Sequence, residues 1–310
     1  MKKHSRIAAG VAAIVAVAAA SAGALNLAGA TAASRITAST PCVGSAAPVH
    51  YQHVILIVEE NHSYSQVIGK QPYETALAKA CGLASNYRAL SYPSLPNYIG
   101  MTSGAIPSNI AAKDCQPSGS CTTASASIFG QVASWKVYAE SMPAPCAKAN
   151  TSNGLFVPRH TGAPYFTALA GCSAGDVPLG TTGSGALQAA LGSGSLPAFS
   201  LVIPNTTDDA HSGCLSCADR WLATWIPKIV ASPAYAAGST AVFITYDSDA
   251  RNSGNHVATI VIAPSVRAGT VSSTAFNHYS LLRTEEDILG ASGHLGGAAT
   301  AASMQQAFNL

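Results

Sequence analysis

The run His53-Val-Ile-Leu-Ile-Val58 decides the fold. It is apolar, rich in β-branched residues and without alternation, as a short strand buried on both faces should be, and it stops at Glu59 and Glu60. Similar runs recur at Lys136 to Ala139, Phe199 to Ile203, Ala241 to Tyr246 and Val257 to Ala263. Helical patterns lie among them at Tyr73 to Ala84, Ile128 to Ser134, Asp219 to Val230 and Tyr279 to Leu289. Strands and helices in this alternation predict an α/β fold, a doubly wound sandwich with a mostly parallel central sheet and helices on both faces. Gly180 to Leu196 is rich in Gly, Ser and Thr and is expected to be a surface excursion. Trp221 and Trp225, four apart on one helical face, are expected in the core.

The chain has 310 residues, 10% charged and 48% hydrophobic, which excludes a disordered tail, a coiled coil and a small disulfide scaffold. The length suits one large α/β unit. The formal charge of +2 rests on Lys2, Lys3 and Arg6, and becomes −1 without residues 1–32. With only 7% aromatic residues, this balance leaves neither a basic footprint nor a stacking platform for nucleic acid.

The basic start, the apolar run from Ile7 to about Ala20 and the small residues Ala30-Thr31-Ala32 have the grammar of a secretory signal peptide. We expect cleavage after Ala32, with Ala22 as the rival, then a linker over 33–49 and a single catalytic domain over 50–310. The apolar run is shorter than a membrane span needs, and no later segment is long enough, so stable membrane insertion is not expected. All 8 cysteines lie beyond the signal, and an even number in an exported chain reads as disulfides. Cys115 with Cys121 and Cys146 with Cys172 are candidate local pairs. The full connectivity does not follow from the sequence.

In such folds ligands bind beyond the carboxyl ends of the strands, so polar residues directly after apolar runs are the candidates. Four such places stand out. Glu59-Glu60-Asn61-His62-Ser63 offers hard oxygen ligands to a divalent cation, although a solvated strand end would look similar. Tyr92-Pro93-Ser94-Leu95-Pro96-Asn97-Tyr98 reads as a loop entering a helix near Ser94. The serine could merely cap that helix, or use its N-terminus to stabilise a bound phosphate. Asn205 followed by Asp208-Asp209-Ala210-His211 comes after a third strand. Thr245-Tyr246-Asp247-Ser248-Asp249, then Asn255-His256, comes after a fourth. The conjunction at four strand ends outweighs any one of them.

Six segments in order carry a resemblance: HVILIVEENHSYSQVIG, YPSLPNYIGMTSG, VPRHTGAPYF, DDAHSGCLSCADRWLATWIPKI, FITYDSDARNSGNHVATIVIAP and FNHYSLLRTEEDILG. Together they resemble the bacterial phosphoesterase family of secreted acid phosphatases and phospholipases C, over nearly all of His53 to Leu289. The likeness is strongest to mycobacterial-type secreted acid phosphatases acting on phosphatidylinositol 3-phosphate. The resemblance implies an alkaline-phosphatase-like fold and a secreted phosphomonoesterase. It puts the nucleophile on Ser94 and the following Asn on Asn97, with the metal-binding Glu-Asn pair on Glu60 and Asn61. The family's pair of acids falls on Asp247 and Ser248. The second position is not an acid here, and Asp249, one residue later, is the candidate replacement. The Asp-x-His stretch falls on Asp209 and His211, and the Lys-His stretch on Arg159 and His160, with a longer spacing before Pro164. The His before the final helix falls on His278.

The chemistry explains the grouping. A phosphate monoester is an anion attacked in line, so the site must lower the serine's proton affinity and neutralise charge on the phosphoryl oxygens. A divalent cation on Glu60, Asn61, Asp247 and Asp249 would do both; these oxygen ligands suit Mg, Ca or Mn, and a histidine could admit Zn or Fe. Ser94 would form a phosphoseryl intermediate, and His160 or His211 would protonate the leaving alkoxide. Asn97, Arg159, Asp209 and His278 are then the expected substrate-binding residues. The expected partner is a phosphorylated small molecule or a phosphoinositide headgroup.

Other readings compete. A phospholipase C would share the nucleophile and metal but cleave a diester; the chain lacks the long C-terminal extension such enzymes often carry, which favours monoesters. Gly171-Cys172-Ser173-Ala174-Gly175 fits the pattern of a serine-esterase nucleophile elbow, but Pro164 to Ala170 reads as a helix and Asp176-Val-Pro as a loop, the wrong setting. His211 with Cys214 and Cys217 could form a zinc set, although disulfides suit an oxidising compartment better. A binding module with a structural calcium site would not need a serine at a helix start.

Overall fold

The computed structural model describes residues 41–249, 251 and 253–310. The expected signal peptide and the start of the linker lie outside these residues. The chain runs β1 (His53–Glu59), α1 (Tyr64–Val67), α2 (Pro72–Ala80), β2 (Gly82–Arg88), α3 (Ser94–Ser103), α4 (Ile128–Gln131) and β3 (Trp135–Ala139). It continues through α5 (Cys172–Gly175), β4 (Asp176–Pro178), α6 (Ala186–Ser193), β5 (Phe199–Ile203), α7 (Leu215–Val230) and α8 (Pro233–Ala236). The last elements are β6 (Thr240–Tyr246), β7 (His256–Ile262), β8 (Thr270–Ser272), β9 (Phe276–Asn277), α9 (His278–Ile288) and α10 (Gln305–Phe308).

β1 sits inside the sheet because its side chains can be buried on both faces. Val54 to Val58 have no exposed surface, and each large apolar side chain buried this way contributes about 2 kcal/mol. The strand order is β4-β3-β5-β1-β6-β7-β2-β8, with β9 also paired to β2. Among the described strands, only β7 runs against the others, being antiparallel to both β6 and β2. The sheet is therefore mostly parallel with helices on both sides, as expected. β5, β1 and β6 are adjacent, so their carboxyl ends lie side by side.

Five strands fall where the apolar runs place them. The expected helix over Tyr73 to Ala84 instead stops at Ala80, and the chain re-enters the sheet as β2. Cys81, at the break, is bonded to Cys42. Gly82 is needed there, because a Cβ would lie 2.7 Å from the Phe308 ring. The helix expected over Ile128 to Ser134 ends at Gln131, since Val132 is extended. The Gly180 to Leu196 stretch holds a two-turn helix, α6, closed by Gly194 at φ 69°. Asp176 to Pro178, expected as a loop, is the edge strand β4, a position that tolerates proline. Pro164 to Ala170, expected as a helix, contributes only to a single 3₁₀ turn at Ala163–Tyr165.

Ser173 lies in α5, with β4 after it and no strand directly before it, the reverse of an elbow. The disulfides are Cys42–Cys81, Cys115–Cys121, Cys146–Cys172 and Cys214–Cys217. Both expected local pairs form, and the last bond removes the zinc reading of His211 with Cys214 and Cys217. Trp221 and Trp225 are buried, as expected, with ring centroids 5.8 Å apart. No helix among the described residues is long and apolar enough to cross a membrane.

Candidate active site

The site is assembled from three adjacent strand ends and one helix start. After β1 the chain turns sharply at Asn61, whose φ of 58° is a left-handed conformation that Asn tolerates better than most residues. Two backbone bonds lock the neighbouring ends to this turn: Glu60 N–H donates to the Asp209 carbonyl at 2.7 Å, and Asp247 N–H to the Glu59 carbonyl at 2.9 Å. Asn61 N–H then donates to Asp247 Oδ1 at 2.9 Å. Ser94, the first residue of α3, is brought in from beyond β2.

Glu60 is the hub. Its Oε2 accepts from Ser94 Oγ at 2.9 Å and from Asn61 Nδ2 at 2.8 Å, and lies 3.0 Å from His211 Nδ1. Its Oε1 accepts from the Tyr98 hydroxyl at 2.8 Å and lies 3.3 Å from His160 Nε2. Burial opposes ionisation of this carboxyl, but the His160 ring beside it and the hydrogen bonds from His211 and the Tyr98 hydroxyl outweigh it and hold it below the usual carboxylate range. Glu60 is therefore a carboxylate with a serine hydroxyl pointed at it.

The two histidines differ. His160 is buried, stacked on Tyr98, and reaches Asp209 Oδ2 at 3.2 Å through Nδ1. Burial, against the pull of Glu60, lowers this imidazole to about 3 and keeps it neutral. The His211 side chain keeps 32% of its surface exposed. Its Nε2 lies 3.2 Å from Arg159 Nη2, which can only donate, and its Nδ1 lies 3.0 Å from both Glu60 Oε2 and Asn61 Nδ2. Arg159 is held from its other side by Asp114, with Nε 3.4 Å from Oδ2.

Glu60, His160 and His211 offer three donor atoms within 4.8 Å of one another, a group that could hold a metal ion. The surroundings fit a cation. Asp247 Oδ2 is buried with no hydrogen-bond partner. Burial and then the Glu60 charge push the Asp209 and Asp247 carboxyls well above the usual range, so the site holds more acid than it can ionise unaided. Oxygen and imidazole donors together suit Mn, Zn or Fe as well as Mg or Ca.

Among the expected site residues, Glu60, Asn61, Ser94, Arg159, His160, Asp209, His211 and Asp247 come together. Asp249, Asn97 and His278 stand apart from this cluster. Asp249 is buried and spends its carboxylate on its own loop, accepting from the backbone N–H groups of Arg251, Ser253 and Asn255. Asn97 accepts from Leu90 and Ser91 N–H and donates to the Ser91 and Pro93 carbonyls, tying down the loop before Ser94. His278 lies behind Asp247, with Nε2 2.8 Å from its backbone carbonyl. Two contributors escaped the sequence reading, Tyr98 and Asp114, while Ser248, read there only as the position of a missing acid, donates to Asn61 Oδ1 at 3.1 Å. Only Tyr98 had a signal, four residues after Ser94 and so on the same helical face.

An apolar cavity of about 570 Å³ opens beside Trp135 and Phe166, at the start of β3 and thus toward the opposite end of the sheet. It has no part in this chemistry.

Comparison with known proteins bears on the family and the fold. Residues 70–291 match the model of the Phosphoesterase family. A phosphatidylinositol-3-phosphatase of Mycobacterium tuberculosis is 27% identical over 81% of this chain and 82% of its own length. An acid phosphatase of Aspergillus fumigatus is 23% identical over 64% of this chain, which spans 46% of that longer protein. Among solved structures, a Vibrio parahaemolyticus protein of the alkaline phosphatase superfamily superposes with a TM-score of 0.54 at 13% identity, covering 84% of this chain and 75% of the other, a likeness of fold.

Proposed function

The chain belongs to the phosphoesterase family and is a phosphoric ester hydrolase, and from that premise we propose that it is a secreted phosphomonoesterase with Ser94 as nucleophile and phosphoinositide 3-phosphate headgroups among its substrates. The observation that carries this reading is the Ser94 Oγ to Glu60 Oε2 hydrogen bond of 2.9 Å at the start of a ten-residue helix.

Glu60 takes the Ser94 proton as Oγ attacks phosphorus, and a phosphoseryl intermediate forms. The N-terminus of α3 and the Arg159 guanidinium lie where negative charge on the phosphoryl oxygens is favoured. With Arg159 turned to the phosphoryl oxygens, the partly exposed His211 has Nε2 free to carry the proton that goes to the leaving alkoxide and later to take one from the attacking water. His160 is too deeply buried for that duty and instead orients Glu60 and Asp209. A divalent cation held by Glu60, Asn61 and Asp247, with the imidazoles of His160 and His211 at hand, would supply Lewis-acid stabilisation of the phosphoryl charge. The phosphoinositide assignment rests on the 27% identity to the mycobacterial enzyme. Secretion is supported by the four disulfides and by the signal-like N-terminus.

The test is steady-state phosphate release from p-nitrophenyl phosphate, phosphatidylinositol 3-phosphate and a choline phosphodiester, from about pH 4 to 9. Ser94→Ala, checked for folding by circular dichroism, should lose at least about 10³-fold in kcat on the monoesters. Full activity in that variant would remove Ser94 as nucleophile. Phosphocholine released from the diester, with the monoesters untouched, would move the assignment to phospholipase C.

A further inference from the structure

The disulfide Cys214–Cys217 differs from the other three. Cys214 caps the 16-residue helix α7 and Cys217 lies in its first turn. The bond spans a sequence separation of 3, against 39 for Cys42–Cys81 and 26 for Cys146–Cys172. Closing so short a loop removes little entropy from the unfolded chain, so this bond contributes least to folding. Its sulfurs are also accessible from solvent, as the partly buried Cys146 and Cys172 are. Cys214 and Cys217 are only partly buried, and Cys217 lines a cavity of about 330 Å³ with Glu140, Asp208, Arg220 and Trp221. Arg220 Nη2 donates to Cys217 Sγ at 3.2 Å. An Arg at that sulfur and a helix N-terminus both stabilise a thiolate, which makes Cys217 a good leaving group.

We propose that Cys214–Cys217 is a redox-exchangeable site that takes a dithiol as its partner, and that its state sets the position of His211. His211 lies three residues before Cys214. The segment between them is held by Gly213 N–H donating to the Ala210 carbonyl and Ser212 N–H to the Thr206 carbonyl. In the exchange, one thiolate of the dithiol attacks Cys214 Sγ, the Sγ–Sγ bond breaks, and its electron pair passes to Cys217. The second thiolate of the reductant then attacks the mixed disulfide and releases Cys214. The dithiol is oxidised to a disulfide by two electrons and the protein disulfide is reduced to two thiols. The two protons of the dithiol go to the new thiols, or one passes to solvent where Cys217 remains a thiolate. The claim does not depend on which phosphate ester is hydrolysed.

The experiment is a dithiothreitol titration of the intact protein, with differential alkylation read by peptide mass spectrometry, phosphate ester hydrolysis followed in parallel and tryptophan fluorescence as a fold control. Cys214 and Cys217 should be labelled first, at a dithiol concentration at least about tenfold below that needed for Cys42 and Cys81. The fold signal should hold while kcat/KM falls about tenfold, and reoxidation should restore it. The double variant Cys214→Ser with Cys217→Ser should have the lowered activity and no response to dithiol. Arg220→Gln keeps both cysteines and should raise the dithiol midpoint at least about threefold. Labelling of another disulfide first, or reduction of this one without a change in activity, overturns the proposal.

Discussion

His278 Nε2 lies 2.8 Å from the backbone carbonyl of Asp247, while Nδ1 lies 2.9 Å from the Tyr87 hydroxyl. Both ring nitrogens are thus engaged inside the protein, with Nε2 donating to the carbonyl and Nδ1 accepting from the tyrosine. Burial lowers this imidazole to about 4, so it stays neutral near neutral pH. The residue fixes where Asp247 stands relative to Glu60 and Asn61.

His278→Ala should therefore lower kcat about tenfold or more with a smaller change in KM, since Asp247 is displaced while Arg159 and α3 are untouched. Tyr87→Phe should act in the same direction more weakly, and cost about 1 to 3 kcal/mol of stability by leaving Nδ1 unpaired. Steady-state kinetics beside denaturant unfolding separate the two effects. A rise in KM alone would make His278 a substrate contact.

The two active-site histidines should separate by leaving group. A nitrophenolate departs without a proton, whereas an alkyl alkoxide needs one. His211→Ala should lose about 10²- to 10⁴-fold on alkyl phosphates and much less on p-nitrophenyl phosphate. His160→Ala should lose similar factors on both, because its contacts are to Glu60 and Asp209. Equal losses for His211→Ala on both substrates would deny it the acid role.

Chelation should abolish turnover, and adding back single divalent cations should restore it and identify which ones serve. The apo protein should also unfold earlier: a ligand at 100 times its Kd stabilises by about 2.7 kcal/mol. Glu60→Gln should lose both the activity and the thermal response to metal. Unchanged melting and activity after exhaustive chelation would remove the cation from the reading.

Stability should be greater in mild acid. Burial, with the nearby Asp219 charge, pushes the Glu74 carboxyl up to about 8, although Tyr246 donates to both its oxygens at 3.0 and 3.2 Å. Burial likewise pushes Asp176 up to about 8. In the unfolded chain both groups titrate near 4, so between about pH 4 and 8 the folded state binds more protons and stability falls as pH rises. Denaturant unfolding should show a loss of several kcal/mol from pH 5 to 8, up to about 3 to 4 for each group, and Glu74→Gln should remove about half of it. A stability that rises over this window would contradict the buried, protonated state of these acids.

The candidate site was largely legible because its groups sit directly after local apolar runs. Glu60, Asn61, Asp209, His211 and Asp247 each follow a strand that its own residues announce, and adjacency of β5, β1 and β6 then brings them together. The division of labour was not legible. Asp249 looked like a replacement for the missing acid at Ser248, yet its carboxylate is consumed by three backbone N–H groups of its own loop. The sequence assigned proton transfer to His160 and His211 and said only that a histidine could admit Zn or Fe; both rings lie among the metal-capable donors.

By itself, the sequence determined the central strands, the long helices and the residue types at the strand ends, because burial on both faces and helical periodicity are written within a few consecutive residues. Only tertiary structure decided β2, whose Gly-Leu-Ala-Ser-Asn-Tyr-Arg has little intrinsic strand character and pairs because β7 on one side and β8 and β9 on the other offer it partners distant in the chain. It also decided that Glu60 is the hub and that His160 is neutral. Those properties come from desolvation and from neighbours contributed by segments up to about 150 residues away, which no local pattern encodes.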